Sequence, residues 1–426
     1  MPAPAPCART RQEWAPRGTM STPETSLFEP PAVRGIRRSF SMGGSMRGFA
    51  APGKPGVVRM RPRPACECSR GGVPAGSARR IVRAFMKILP VHETDSMRPI
   101  LHLALQGGGA HGAFTWGVLD CLLDQEDFDI GDVSGTSAGA LNGAALVSGL
   151  RCGGRSAAKA NLSLLWQRVA QTAAPVTLLT LPMRTPGLGL WDDAMPLLSP
   201  YQTNPFALEP MRHIVSQVAD VDVLSAPGAN ALFVNAVNVH TGCTRVFGGA
   251  DLSVDAILAS ACAPLMFQAA RIDGQSYWDG SYGANPSLWP LYDASTDVDI
   301  LLVELAPQYR PETPTTAKNI LNRINEIASI NGLASELRAL ALINRSVPDA
   351  DIRMHVISLP DTGPDIELEP SVKRAVGPVL FESLRRSGYA ACTAWLASHR
   401  GALGARASVD VHARYGLGRR AVHGGS

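Results

Sequence analysis

Between residues 100 and 150 the chain twice runs from a short apolar stretch into a glycine-rich turn and then into a helical pattern. Ile100-Leu101-His102-Leu103-Ala104-Leu105 is stopped by Gly107-Gly108-Gly109, and Phe114, Val118, Leu119, Leu122 and Leu123 then recur at helical spacing over 113–126. Ile130–Ser134 is stopped by Gly135 and followed by a helix of small residues, Ala138–Leu150. Parallel strands need a crossover between them, and a helix is the usual one. Alternating strands and helices therefore predict an α/β fold with a mainly parallel sheet covered on both faces.

The same alternation continues. Helices are expected over 156–171, 253–260, 316–345 and 370–398. Strands are expected over 231–239, 244–247, 267–272, 300–305 and 352–358. Residues 172–206 are rich in Pro and Leu and carry Trp191; a loop of that length is a lid, a lipid-facing segment or a packed Ω-loop. The Gly/Arg-rich end, 401–426, is expected to fray.

Charge separates a leader from this body. Residues 1–85 hold 15 Lys/Arg against 4 Asp/Glu, a net +11 that leaves −7 for the rest of a +4 chain. Rich in Pro, Gly, Ser and Arg and without apolar periodicity, residues 1–96 are expected to be disordered. Met86 and Met97 stand where structure begins, so the leader is read either as untranslated upstream sequence or as a basic arm. Its charges lack helical spacing and aromatic interleaving, which argues against nucleic acid as a partner. Arg37-Arg38-Ser39-Phe40 lacks the apolar run that an export signal requires. No stretch reaches the roughly 18 apolar residues of a transmembrane helix. Scattered cysteines, with Cys121 and Cys262 in apolar stretches, fit a reducing compartment, and a cytoplasmic location with peripheral membrane contact is expected.

Three segments carry chemistry. Gly135-Thr136-Ser137-Ala138-Gly139 lies between a strand and a helix, the setting of a nucleophile elbow, where the turn is so tight that the serine's neighbours must be tiny. Gln106-Gly107-Gly108-Gly109-Ala110-His111-Gly112 can turn several N–H groups toward one anion, as an oxyanion hole must, each donor being worth about 3 kcal/mol in the transition state. It also fits the G-x-G-x-x-G of a dinucleotide-binding turn, with Asp129 about 20 residues on as the ribose acid. Trp278-Asp279-Gly280-Ser281 places a carboxylate at a turn, followed by Asn285-Pro286, which is expected to order that loop.

In this order the three segments resemble the patatin-like phospholipase family over residues 100–305. The resemblance implies a three-layer α/β/α sandwich and a hydrolase domain over 97–400, helical over 306–400. It implies a Ser137–Asp279 dyad, an oxyanion hole in the glycine run and hydrolysis of lipid or long-chain carboxylic esters through an acyl-enzyme. No cofactor and no metal are needed. His111 stands where the family usually has Arg or Lys, and Ser281 where it has Gly or Ala.

Two other readings stay open at this point: a nucleotide-dependent oxidoreductase using Gly107–Gly112, and a non-catalytic lipid-binding member of the same fold. His213, His355 and His399 are the histidines that a conventional Ser-His-Asp triad would draw on. His102 reads as a satisfied core residue, His111 as an oxyanion aid or an exposed turn residue. Asn235 and Asn238, near a strand end, either line the site or hold a turn.

Overall fold

Strand β1 (Ile100–Leu105) is apolar on both faces, and Leu101, Leu103, Ala104 and Leu105 are fully buried, so it takes the interior of the sheet. The computed structural model describes residues 98–180, 199–203, 208–306, 308–360 and 377–416, with side chains of 173–180, 203 and 318 excepted. They all fall in one unit, Ser96–Ser426. The leader, Trp191 and most of the Pro-rich 172–206 stretch, residues 361–376 and the last ten residues lie outside them.

The eight strands order as β5-β6-β3-β2-β1-β7-β8, with β4 also pairing β3. β2 is Asp129–Gly135, β3 Leu232–Asn238, β4 Thr244–Gly248, β5 Ala270–Ile272, β6 Gln275–Asp279, β7 Asp297–Glu304 and β8 Asp351–Ser358. β3, β2, β1, β7 and β8 run parallel, while β4, β5 and β6 form an antiparallel flank. The chain leaves β1 toward β2 and β3 and later returns to β7 on its other side. The carboxyl ends around β1 are thus a topological switch point, where open α/β sheets bind ligands.

Helices α1 (Gly112–Leu123), α2 (Ala138–Thr180), α3 (Glu209–Val218), α4 (Val221–Ser225), α5 (Val254–Ser260), α6 (Ala317–Ser346) and α7 (Pro378–His399) cover the sheet. Two apolar clusters, one on each face, make this a three-layer sandwich. α1 and α7 cross at backbone contact: a Cβ on Gly117 would stand 1.9 Å from the Arg385 carbonyl oxygen, and one on Gly388 2.0 Å from that of Phe114. α2 fuses the two helices expected over 138–171, bending at Gly153 and Gly154 and running to Thr180, into the stretch expected as loop.

Two other expectations are corrected. The strand at 267–272 is only Ala270–Ile272, paired through a tight Asp273-Gly274 turn with β6, a strand whose alternation is too short to read from sequence. α3 and α4 were not legible at all. The segment expected to fray is packed as far as Gly416: Asp299 Oδ2 accepts from Gly404 N (3.0 Å), Ser408 N donates to Met354 O (3.1 Å), and Tyr415 donates to Glu304 (3.1 Å).

Asp299 is the hub of this attachment. It receives Arg353 through Nε (3.1 Å) and Nη2 (2.9 Å), and its Oδ1 lies 2.8 Å from His355 Nε2. Removing one member of a buried charge cluster strands the others, so Asp299→Ala should cost about 3–5 kcal/mol of stability. Denaturant unfolding would read that loss, and a variant as stable as wild type would show the cluster to be dispensable.

Candidate active site

Ser137 sits between β2 and α2 at φ 54°, in the left-handed region that costs a non-glycine residue about 1–2 kcal/mol. The neighbours explain how the turn closes. A Cβ on Gly135 would lie 2.5 Å from Gly139 O, and one on Gly139 2.1 Å from Leu105 O. Thr136 N donates to Leu105 O (3.1 Å), Gly139 N to Thr136 O (2.8 Å), and Ser137 N to Ser260 Oγ (3.0 Å). Ala138 begins the helix and is buried. The serine is thus held at the start of α2, where unpaired N–H groups favour negative charge.

Asp279 is the last residue of β6, opposite Ala236 of β3, and is 5% exposed. Its N–H donates to Cys262 O (2.9 Å), and its Oδ1 accepts from Ser281 N (2.9 Å) and Ser281 Oγ (2.8 Å). Burial pushes the carboxyl above its ordinary range, and the bonds from Ser281 together with the nearby Ser137 hydroxyl only partly offset that. Ser281 therefore adds a donor that a glycine or alanine would lack. Gly280 passes so close to β3 that a Cβ would stand 2.1 Å from Asn235 O.

The glycine run follows β1 directly. Gln106 Oε1 accepts from Leu305 N (2.8 Å) and Ala306 N (3.1 Å), tying the end of β1 to the end of β7. Asn285 brackets the Gly107 peptide: its Oδ1 accepts from Gly107 N (2.6 Å), and its Nδ2 donates to Gly107 O (3.2 Å) and Ser329 Oγ (2.7 Å). The Gly107 N–H is therefore already engaged by a side-chain acceptor. Gly109 has φ 58° and opens a single turn of 3₁₀ helix through Ala110 and His111, with Gly112 N closing back on Gly109 and Ala110 carbonyls. His111 is 2% exposed, so the exposed reading is corrected.

One buried amide joins the elbow to the Asp279 turn. Asn235, 1% exposed within β3, accepts from Thr136 Oγ1 and donates to Ala284 O (2.8 Å) and Gly280 O (3.3 Å). Asn238 takes the other role, capping an exposed turn through His240 N and Thr241 N. Sequence singled out Asn235 and Asn285, but not the bonds that each makes. It missed Gln106, Ser260 and Ser329 as supports because each acts across the fold, on residues from 44 to 200 positions away in the chain for the bonds just given. Only the place of Gln106, between an apolar strand and the glycines, carried a local signal.

The rival arrangements are not assembled. Asp129 opens β2 opposite Ile100, at the other end of the sheet from the glycine loop and roughly 16 Å away at strand rise, so it is not placed to hold a ribose there. His355 bonds Asp299 and Ser408, His213 meets Gln217, and His399 stacks on Trp395. His102 accepts from Asp132 N (3.0 Å), as a satisfied histidine should. No helix among the described residues is long and apolar enough to cross a membrane.

Residues 103–292 match the family model described as patatin-like phospholipase. Among solved structures, the chain is similar to VipD from Legionella pneumophila at 13% identity and a TM-score of 0.34, covering 71% of this chain and 67% of that one. It is also similar to a chain of the heterodimeric ExoU–SpcU complex from the type III secretion system of Pseudomonas aeruginosa, at 18% identity and a TM-score of 0.29, covering 71% and 53%. A second structure, of full-length SpcU with full-length ExoU, gives 20% identity and a TM-score of 0.26 at the same coverage. The chain spans about half the length of the ExoU–SpcU chains it matches. At these scores the likenesses add nothing to the family match, and no curated protein sequence matches. The match to the patatin-like phospholipase family is thus confined to residues 103–292, the stretch that holds the glycine run, Ser137 and Asp279.

Proposed function

We propose that the protein hydrolyses carboxylic esters of lipids through a Ser137–Asp279 dyad. The observation that carries this reading is a serine strained at a strand-to-helix turn beside a buried carboxylate that its hydroxyl influences. Asp279 takes the Ser137 proton as Oγ attacks the ester carbonyl. The N–H groups of Gly108 and Gly109 hold the resulting oxyanion. The alcohol leaves with the proton from Asp279, and Ser137 is left acylated. Water, deprotonated by Asp279, then attacks the acyl-enzyme and releases the carboxylic acid. A carboxyl raised by burial suits a base that must work near neutrality. Ser281 and Asn235 set the position of Asp279 and of the turn that carries it.

Labelling by a fluorophosphonate probe tests the reading. Wild type is expected to label and Ser137→Ala to stay unlabelled. A folded wild type that stays unlabelled in the presence of detergent would favour the non-catalytic lipid-binding alternative.

Asn285 is a positioning residue in this scheme, since it fixes the peptide just before the two donors. Asn285→Ala leaves the buried Gly107 N–H without its partner and lets the loop drift. We expect kcat to fall about 10- to 100-fold, with probe labelling retained but slower. An unchanged kcat would remove Asn285 from the machinery.

A further inference from the structure

The first half of α6 is amphipathic in reverse. Glu326 and Ser329 are buried at 4% and 5% exposure, whereas Ile320, Ile324 and Ile327 are 42%, 56% and 45% exposed. At 100° per residue the three isoleucines share an arc of about 60°, with Ser329 on the opposite side. The buried face is fully engaged: Glu326 receives Arg310 (2.8 and 2.7 Å) and Arg323 (3.2 Å), and Ser329 accepts from Asn285. The second half of α6 is conventional, with Leu333, Leu337 and Leu340 buried. The inversion is therefore confined to the half nearest the site.

Its position bears on what covers it. Ser329 holds the Asn285 amide that brackets Gly107, and Gly332 packs so closely that a Cβ would lie 2.4 Å from Gly283 O. Tyr309, just ahead of the helix, is 78% exposed. On the other flank of Asp279, Cys262 O receives the Asp279 N–H, and the loop leaving Cys262 exposes Leu265 and Met266 at 45% and 58%. Exposed apolar side chains thus occur on two segments that each touch the Asp279–Gly283 turn, α6 and the loop after Cys262. The isoleucine face offers only on the order of 300 Å², well short of the ~800 Å² per partner that a stable dimer buries. A row of apolar side chains with an aromatic at its end is instead what an interfacial helix inserts into a bilayer.

We propose that the Ile320–Ile324–Ile327 face of α6 docks on a lipid surface. This deepens the lipid-ester reading and rests on it for the substrate. The test uses the full chain, phosphatidylcholine vesicles, and wild type beside the Ile324→Glu/Ile327→Glu double variant. Co-sedimentation should weaken about tenfold or more, because two charged groups would have to enter the interface. Hydrolysis of vesicular phospholipid should fall in step, while hydrolysis of a monomeric short-chain ester stays unchanged. Vesicle binding that depends on the face, without hydrolysis of either ester, would uphold docking and sink the hydrolase. Failure of wild type to bind vesicles, or a double variant that binds equally well, overturns the proposal. So does a wild-type dimer, seen by size-exclusion chromatography, that the double variant dissolves while still binding vesicles: that face would then meet a second copy. Should the double variant not fold, Ile324→Asn is read in the same assays.

Discussion

Asp279→Asn is expected to lower kcat about 10⁴-fold while raising the melting temperature at neutral pH. The first half follows from chemistry: an amide of the same shape accepts the Ser281 bonds but cannot take the serine proton, and removing an orienting or proton-accepting carboxylate from a serine hydrolase has an effect of that order. The second follows from burial. Because the Asp279 carboxyl is raised in the folded protein, the folded state holds its proton over a pH range in which the unfolded chain has released it. Stability therefore falls as pH rises from the ordinary carboxylate range through the raised value, and the loss persists above it. Activity should rise through the same window as the base ionises. Melting curves against pH would show a descending step in wild type that the variant lacks. A variant that melts lower than wild type at neutral pH would contradict the account of burial, and one with near-wild-type turnover would end the role of Asp279 as base.

Glycine at position 137 should give an inactive protein that is more stable than the alanine variant. Both Ser137→Gly and Ser137→Ala remove the nucleophile, and each should cost at least ~10⁴-fold in kcat. Alanine keeps the left-handed strain at φ 54°. Glycine releases about 1–2 kcal/mol of it and gives back about 0.5–1 kcal/mol as extra freedom of the unfolded chain. The net gain of roughly 0.5–1 kcal/mol corresponds to a difference of about 1–3 °C in Tm. If the alanine variant melts at or above the glycine variant, Ser137 is not strained and the elbow stores no energy. The serine is thus a case in which activity opposes stability.

The parts of the fold readable from sequence are those with a local period. β1 and β7 announce themselves as near-continuous apolar runs because both their faces are covered, β2, β3 and β8 as apolar residues interleaved with polar ones, and α1 and the start of α2 through their spacing. β6 escaped because five residues alternating between buried and half-buried leave too short a trace. The C-terminal segment was misread for a related reason: its order comes from Asp299, Glu304 and Met354, which composition alone does not reveal. At the site, Ser137, Asp279 and the glycines were legible because steric demand leaves a signature of tiny residues. What was not legible is which N–H groups are already taken. Gly107, Gly108 and Gly109 are alike in sequence, and only the side chain of Asn285, 178 residues on, tells them apart.

The place of β1 inside the sheet sets a lower limit on any fragment that can carry this site. The family-matched segment ends at residue 292, before β7 begins. A chain cut there would turn β1 from an interior strand into a bare edge, with its backbone groups toward β7, the Gln106 N–H that bonds Val303 O among them, open to pairing with other chains. It would also lose the Leu305 and Ala306 amides that hold Gln106, the Ser329 hydroxyl that holds Asn285, and the α7 backbone against which Gly117 is fitted. Such a fragment should aggregate on expression, and the natural stopping point for a minimal version lies after Gly416.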